Sequence, residues 1–575
     1  MTEENIATVA KLKVVFCWHM HQPDYRDRRN GEFQLPWTYL HAIKDYVDMV
    51  AHLENNPQAR VVINFAPILL QQIDNYSQQV QRYFNDNTMI KDPLLNALVD
   101  PTLPATPEYR HSLIKSCLRA NEQHVIGCFD AYQRLADLGN WLDANPEQIR
   151  YLNTQYFVDL LMWYHLAWLG ETVRRDDLRV KELIKKGYGF SFHDRRELLA
   201  IIGDLLTQLI GRYKALMDLG QIELAMSPYS HPIIPLLMDI NCARQSMPDI
   251  TMPVTDTYPG GVERAQWQLQ QGIDTFEYFF SRKPSGCWLS EGGLSEDAVG
   301  LLNEFDFAWT AGGESILRQS LALGSHSPPP TDKNTFLYQP YRLEGNNTAC
   351  FFRDDELSDL IGFTYSGWHG DDAVANFTHR LETIAQHSAM QEGAVVSIIL
   401  DGENAWEHFP ANAYHFLQGL YQSLADHPRL ELATFSDCIA DAHTSAATLE
   451  HVVAGSWVYG TFSTWIGDEQ KNRAWDMLTE GKQSYDRVVA SGNLSQHQLQ
   501  LAQNQLAICE SSDWFWWFGD YNPAEAVSDF ERLFRMHLAN LYQCLGLEPP
   551  AYLSEVFTHG GGNPLHGGVM RAGSD

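Results

Sequence analysis

Val395-Val-Ser-Ile-Ile-Leu-Asp401-Gly-Glu-Asn404 is an apolar run that ends in acidic and amide side chains. A nearly continuous apolar run of this length is typical of a strand that is covered on both faces, as in a parallel sheet. The run Gly286-Cys-Trp-Leu-Ser-Glu291 has the same layout and also ends in a carboxylate. A carboxylate at the point where a buried strand opens into a loop is held by the sheet and faces a cleft. This position suits acid, base or nucleophilic chemistry.

Seven short apolar runs recur through the first 400 residues, and each one ends in polar residues. They are Val14–Trp18, Val61–Phe65, Ile222–Met226, Gly286–Leu289, Phe307–Thr310, Cys350–Arg353 and Val395–Leu400. Helical patterns separate many of them, such as Glu197–Leu219, which Gly220 stops. Strands that alternate with helices predict an α/β fold, and seven strands favour an incomplete (β/α)7, TIM-like barrel over a doubly wound sheet.

The remaining segments are expected to be helical. The interval at about 66–220 is too long for one crossover between strands, so we predict a helical insertion beside the barrel. Beyond about residue 415 the strand patterns stop and amphipathic helical patterns follow. We therefore predict a catalytic barrel domain at 1–412, a C-terminal helical domain at 413–556 that contributes to the active-site cleft, and a flexible tail at 557–575.

Composition narrows the partners and the compartment. The formal net charge is −31, and the acids are spread along the chain, so nucleic acid and anionic membranes are disfavoured as partners. The start Met1-Thr-Glu-Glu4 has acids where a signal peptide needs positive charge, and the nine scattered cysteines form no CxxC pair. We expect a cytoplasmic protein with buried thiols; its oligomeric state does not follow from the sequence.

Two histidines follow the first strand in Trp18-His-Met-His21-Gln-Pro. Residues two apart on a strand point the same way, so the imidazoles of His19 and His21 are expected to converge at the cleft. An H-x-H pair can bind a metal. It can equally hydrogen-bond sugar hydroxyls, and no third metal ligand is evident nearby.

Other polar residues at strand ends have two interpretations each. Glu223 lies on the opposite strand face from Ile222 and Leu224, and it either forms a structural ion pair or contacts substrate. Arg353 either pairs with the adjacent acids or functions at the strand tip. His231, which follows the third strand, is expected at the pocket.

Large aromatic residues accompany these polar groups. Trp288 and Trp406 flank the two carboxylates, and flat apolar rings beside acids suit sugar rings better than phosphates. In the helical part, Trp457 and Trp465 are expected to contact sugar. The aromatic cluster at 513–520 is expected mainly to pack the helical region against the barrel.

Five ordered motifs resemble those of glycoside hydrolase family 57, and the match spans residues 14–475. They are Trp-His-Met-His-Gln-Pro (18–23), Gly-Gln-Ile-Glu with Ser-Pro-Tyr-Ser-His-Pro (220–232), Trp-Leu-Ser-Glu-Gly-Gly-Leu-Ser (288–295), Leu-Asp-Gly-Glu-Asn-Ala-Trp-Glu (400–407) and Gly-Ser-Trp with Trp-Ile-Gly and Lys-Asn-Arg-Ala-Trp (455–475).

The resemblance implies a (β/α)7 barrel followed by a helical bundle, and a retaining mechanism on α-linked glucans. It implies that Glu291 is the nucleophile and Asp401 the general acid/base. By the same resemblance, His21 and Glu223 line the pocket and Trp457 reaches it from the helical part. The family does not depend on a catalytic metal, so neither a metal nor another cofactor is expected.

The leading hypothesis is a retaining glycoside hydrolase that acts on α-1,4-linked glucans such as starch, glycogen or maltooligosaccharides by double displacement. The alternative is a 4-α-glucanotransferase or a glucan branching enzyme, since a sugar hydroxyl can replace water in the second step. A metal-dependent polysaccharide deacetylase is a more distant alternative. The absence of an Asp-Asp pair beside the first strand counts against it.

Overall fold

The computed structural model describes residues 11–324, 331–388, 393–562 and 570–571. The strands are β1 Leu12–Met20, β2 Arg26–Asp27, β3 Glu32–Phe33, β4 Val61–Phe65, β5 Ile222–Met226, β6 Trp309–Gly313, β7 Tyr341–Leu343, β8 Ala349–Arg353, β9 Val395–Asp401, β10 Leu430–Leu432 and β11 Ala447–Leu449.

The α-helices occupy most of the rest of the described chain. They are α1 Trp37–His41, α2 Val47–Asn55, α3 Pro67–Asp86, α4 Pro93–Val99, α5 Pro107–Leu118, α6 Asp130–Ala144, α7 Thr154–Ala167, α8 Glu171–Asp176, α9 Leu178–Lys186, α10 Phe192–Asp218, α11 Ile234–Met238, α12 Gly261–Phe280, α13 Glu296–Glu304, α14 Glu314–Leu323, α15 Asp355–Asp359, α16 Gly370–Ser388, α17 Tyr414–Ala425, α18 Phe435–Ala440, α19 Glu469–Ala490, α20 Gln496–Cys509, α21 Ser512–Trp517 and α22 Ala524–Cys544.

The fold is mixed α/β around one sheet in which parallel pairing dominates. Its strands follow the order β11-β7-β8-β9-β1-β4-β5, with β6 beside β8 and β10 beside β1. The pairs β9-β1, β1-β4, β4-β5, β6-β8 and β8-β9 are all parallel. The carboxyl ends of these strands therefore meet at one edge of the sheet, where loops can combine side chains from distant parts of the sequence.

The central strand β1 is buried along its whole length. Phe16 and Trp18 on one face join the main hydrophobic core. Val15 and Cys17 on the other face join a separate, smaller cluster with residues of β4, β6, β8 and β9. Burial on both faces explains why this strand is an unbroken apolar run in the sequence.

The predicted strand at Gly286–Leu289 does not form a full strand. The segment joins the sheet through single parallel bridges, from Cys287 to Met226 of β5 and from Gly286 to Trp309 of β6. A Cβ at position 286 would lie 1.8 Å from the Trp309 ring, so only glycine allows this close approach. The turn at Ser290–Gly292 begins immediately afterwards.

The expectation that strands stop near residue 415 was wrong, because β10 pairs with β1 and β11 pairs with β7. Each has three residues, too few to produce a strand pattern in the sequence. Between β4 and β5 the chain forms α3 to α10, and helices α19 to α22 follow β11. In the described residues, every helix is too short or too polar to span a lipid bilayer.

The ends of the chain are described only in part. The acidic start, which was predicted not to be a signal peptide, lies mostly outside the described residues. Much of the predicted flexible tail at 557–575 also lies outside them. In the described part of that tail, Thr558 is buried, and Arg571 stacks over the ring of Trp516 at 4.7 Å. These residues contact the helical region.

A buried ionic group joins α12 to the helical C-terminal region. Glu510 accepts hydrogen bonds from Arg264 Nε at 2.7 Å and Nη2 at 3.0 Å, and from Tyr258 and Gln268 at 2.7 Å each. The side chains of Arg264 and Glu510 are 7% and 0% exposed. Removal of one partner from such a pair leaves a buried charge without compensation.

We predict that Arg264→Met lowers the free energy of unfolding by about 3–5 kcal/mol, because Glu510 stays buried without its cation. Urea titration followed by tryptophan fluorescence measures the change. Arg282→Met is the matched control, since Arg282 is 60% exposed and lies 3.8 Å from Asp218. Equal losses of stability in the two variants would contradict the prediction.

Candidate active site

Glu291 and Asp401 lie at the same edge of the sheet. Asp401 is the last residue of β9, and Glu291 lies in the turn that follows the bridged segment at 286–288. The backbone of Glu291 has φ +60°, in the left-handed region that costs a side-chain-bearing residue about 1–3 kcal/mol. The backbone N–H of Trp457 donates to the Glu291 carbonyl at 3.0 Å and helps to hold this conformation.

Both carboxyl groups hold protons more tightly than usual. Burial, followed by the negative charges of Asp401 and Asp513, raises the pKa of Glu291 to about 8. Burial raises the pKa of Asp401 to about 6, while hydrogen bonding by Asn404 and the positive charges of His21 and Arg353 lower it. Between these two values the pair carries one proton, so the site can supply an acid and a carboxylate together near neutral pH.

Both oxygens of Glu291 face hydrogen-bond donors. Trp457 Nε1 donates to Oε2 at 3.1 Å, and Ser512 Oγ donates to Oε1 at 3.3 Å. Asn404 Nδ2 donates to Asp401 Oδ2 at 2.9 Å. These bonds orient the two carboxyl groups before any ligand binds.

Three histidines lie beside the acids. The rings of His21 and His231 are face to face with centroids 3.8 Å apart, and His19 Nε2 lies 3.1 Å from His231 Nε2. His21 Nε2 lies 2.9 Å from both carboxylate oxygens of Asp513. Burial, followed by the charge of His21, lowers the pKa of His19 and of His231 well below the usual value, so both imidazoles are neutral.

Arg353 is fully engaged by neighbouring groups. It donates to the Ile399 carbonyl at 2.8 Å, to Asp355 at 2.7 Å and to Asp359 at 2.6 Å. Its guanidinium group also lies 5.6 Å from the centroid of the Trp457 ring. Arg353 therefore pairs with acids at the strand tip and also lines the cavity beside Trp457, and its functional role stays a prediction.

A cavity of about 610 Å³ contains these groups. His19, His21, His231, Arg353 and Trp457 line it together with Glu291 and Asp401. Further aromatic rings line the cavity: Tyr25, Trp37, Trp168, Phe363, Trp516, Trp517 and Phe530. Flat apolar rings beside buried acids can stack on the faces of sugar rings while polar groups bind the hydroxyls.

Glu223 lies away from this cavity, which corrects the expectation of a substrate contact. It is in the first half of β5, where its carboxylate accepts bonds from Trp309 Nε1 at 2.7 Å and from the backbone and hydroxyl of Ser436 at 3.0 and 2.7 Å. The alternation of side chains along the strand correctly separated Glu223 from Ile222 and Leu224. It did not show that Ser436 covers the strand face that carries Glu223 and binds its carboxylate.

Three of the predicted tryptophans lie behind the cavity wall, not in its lining. Trp288 packs edge-on against Trp457 at 5.4 Å, and Trp465 packs against Trp516 at 5.9 Å. Trp406 donates to the Gly402 carbonyl at 2.8 Å. All three are at most 1% exposed, so they support the lining residues but have no surface to offer a ligand.

Ser512 and Asp513, at the start of α21, were not predicted as site residues from the sequence. Ser512 contacts Glu291, and Asp513 lines the cavity. In the sequence they stand at the start of an aromatic run, which mainly indicates core packing. The short polar run Ser511-Ser-Asp513 before the aromatic residues was the only sequence feature that could have indicated a site. Asn404 was quoted in its motif without a role, and the structure places it on Asp401.

One group of side chains in the described residues could hold a metal ion. Ligand atoms of His21, His231 and Asp513 lie within 4.8 Å of one another. Neutral imidazole and carboxylate are zinc ligands. This set differs from the His19 and His21 pair considered from the sequence, because both nitrogens of His19 are already engaged by Asn64 and His231.

Comparisons with known proteins identify relatives of the chain. The family model of Glycosyl hydrolase family 57 matches residues 15–450. A 1,4-alpha-glucan branching enzyme of Thermococcus kodakarensis is 24% identical over 250 residues. These residues are 40% of this chain and 33% of that enzyme, so the alignment spans about a third of the relative.

Two solved structures share the fold at low identity. A GH57-type branching enzyme of Pyrococcus horikoshii superposes with a TM-score of 0.57 and 16% identity over 95% of this chain and 93% of its own. The α-amylase AmyC of Thermotoga maritima has a TM-score of 0.54 and 14% identity over 93% of each chain. Since the family model covers most of the sequence, the chain belongs to glycosyl hydrolase family 57.

Proposed function

We propose that the protein is a retaining glycosidase that cleaves α-1,4-linked glucans by double displacement. The observation that carries the proposal is the pair Glu291 and Asp401, two partly buried, electrostatically coupled carboxyl groups in one cavity lined by aromatic rings. Retaining glycosidases use two carboxyl groups about 5–5.5 Å apart, one as nucleophile and the other as acid and then base. The names of the related branching enzyme and amylase support α-glucan as the substrate class.

Glu291 is assigned as the nucleophile and Asp401 as the general acid/base. The donors Trp457 and Ser512 on both oxygens of Glu291 support a carboxylate at this position. In the unliganded pair the higher pKa belongs to Glu291, so the shared proton must move to Asp401 when a sugar is bound. Positive charge that develops on the anomeric carbon beside Glu291 favours this distribution.

The finer architecture is also part of the proposal. The incomplete (β/α)7, TIM-like barrel is supported by the bridges of Gly286 and Cys287, which join the edges of β5 and β6. It is also supported by the small hydrophobic cluster between the strands. Helices α3 to α10 support the helical insertion at about 66–220. The contacts of Trp457 and Ser512 with Glu291, and of Asp513 with His21, support a helical domain at 413–556 that completes the cleft.

We predict that Glu291→Ala abolishes turnover of maltooligosaccharides, because no glycosyl ester can form. Azide should restore part of the activity by attack on the vacated side of the sugar, which gives a β-glycosyl azide from an α-linked substrate. Product analysis by NMR identifies the anomer. Retention of near wild-type turnover by Glu291→Ala would contradict the assignment.

We predict that Asp401→Asn lowers kcat by about 10²–10⁴-fold on substrates with poor leaving groups and much less on an activated aryl glycoside. An acidic phenol leaves without a proton, whereas a sugar alcohol does not. The basic limb of the pH profile should flatten as well, since in the wild type activity falls when the acid loses its proton. Equal losses on both substrates would assign Asp401 a purely electrostatic role.

Transglycosylation, by a 4-α-glucanotransferase or a branching enzyme, is the second candidate function. The rings of Trp516, Trp517 and Phe530, all from the helical region, favour transglycosylation. They offer a stacking surface to an acceptor sugar, whose hydroxyl then competes with water for the glycosyl group. We expect incubation with maltotriose to yield products longer than the substrate. Glucose and maltose as the sole products would indicate hydrolysis.

The deacetylase alternative requires a metal, for which His21, His231 and Asp513 are the candidate ligands. If these groups serve only to bind sugar, prolonged dialysis against a chelator should leave glucan cleavage intact. Elemental analysis should then find far less than one equivalent of zinc per chain. Loss of activity on chelation and its return with zinc would overturn the metal-free mechanism.

A further inference from the structure

A continuous chain of buried hydrogen bonds leads from the sheet to Glu291. Its members are Asn64 on β4, His19 on β1, His231 after β5 and Ser512 at the start of α21, and each is at most 3% exposed. The chain therefore joins three strand ends to the helical C-terminal region. Its direction follows from which atoms can donate and which can accept.

The amide of Asn64 starts the chain. Ser227 Oγ donates to the Trp288 carbonyl at 2.8 Å and accepts from Asn64 Nδ2 at 2.9 Å. The same Nδ2 lies 2.7 Å from His19 Nδ1. An amide nitrogen donates and does not accept, so His19 Nδ1 carries no proton.

The two histidines continue the same order of donor and acceptor. A neutral imidazole has one N–H, so the proton of His19 is on Nε2, which donates to His231 Nε2 at 3.1 Å. The two ring planes differ by 17° and the ring centroids lie 5.0 Å apart. The proton of His231 is then on Nδ1, which donates to Ser512 Oγ at 2.9 Å, and the hydroxyl donates to Glu291 Oε1 at 3.3 Å.

We propose that Asn64, His19, His231 and Ser512 form a directional hydrogen-bond relay that positions Glu291 as the nucleophile. This inference rests on the proposed function of Glu291. Every donor in the relay points toward the carboxylate, and Trp457 Nε1 occupies its other oxygen. The relay and Trp457 therefore hold both oxygens of Glu291 in one orientation for attack on a bound sugar.

Successive bonds in a buried chain polarise one another, so a break at any member weakens the last bond. Ser512 is a positioning residue: it is the contact between the relay and Glu291. Asn64 is the member farthest from the cavity, and its role is to set the tautomer of His19. The two ends of the relay can therefore be tested separately.

The tautomers are tested by neutron diffraction from crystals of the perdeuterated full-length protein. Deuterium is expected on Nε2 of His19, on Nδ1 of His231 and on Ser512 Oγ toward Glu291, with none on Glu291 Oε1. Deuterium on Nδ1 of His19 or on Nε2 of His231 would overturn the relay. This readout needs no activity, so it is independent of whether Glu291 is the nucleophile.

The consequence for turnover is tested with Ser512→Ala. We expect kcat on maltooligosaccharides to fall about 10- to 100-fold with little change in KM, since a lost hydrogen bond to a charged group acts on the reacting carboxylate. Ser512→Thr keeps the hydroxyl and should restore most of kcat. Ser484→Ala is the control, because Ser484 is a buried serine of α19 that donates to the Glu480 carbonyl at 3.0 Å.

The results separate failure of the relay from failure of the proposed function. If Glu291→Ala is inactive while Ser512→Ala and Asn64→Leu keep wild-type kcat, Glu291 remains the nucleophile and the relay is wrong. If Ser512→Ala and Ser512→Thr lose kcat equally, the hydroxyl proton is not what matters and the relay is again wrong. If Glu291→Ala is active, the proposed function itself fails.

Discussion

Parallel pairing of the buried strand β1 with β4 on one side and β9 on the other is the constraint on which the site depends. In this pairing His19 lies opposite Asn64 of β4 and opposite Asp401 of β9, so three functional side chains share one level of the sheet. A slip of one residue in either register would turn the polar side chains to the other face. The continuous burial of β1 makes such a slip costly.

The helical region completes the site, although the sheet supplies both carboxyl groups. Trp457 and Ser512 hold the two oxygens of Glu291, and Asp513 holds His21. The buried pair of Arg264 and Glu510 joins this region to α12. Glu510 is close in sequence to Ser512. The stability of that junction and the geometry around Glu291 are therefore linked through a few residues.

Burial and hydrogen bonding act on Glu291 in opposite directions. Burial, with the nearby negative charges, raises its pKa, and this gives the pair the single proton that acid catalysis needs. The hydrogen bonds from Trp457 and Ser512 lower the pKa of Glu291 and so act against burial. The neutral state of His19 and His231, itself a result of burial, is what allows them to form ordered donor–acceptor bonds.

The sequence by itself predicted the α/β class, six of the strands and the position of Asp401 at a strand end. These features are local, because a strand buried on both faces is an apolar run and a loop that faces a cleft begins with polar residues. Only the tertiary structure decided that Glu223 and Trp288 are enclosed, since alternation along a strand does not show which end is open. It also decided that Asp513 meets His21 across 492 residues and that Ser512 meets Glu291 across 221. Contacts at such separations depend on how the helical region packs against the sheet, for which no local pattern exists.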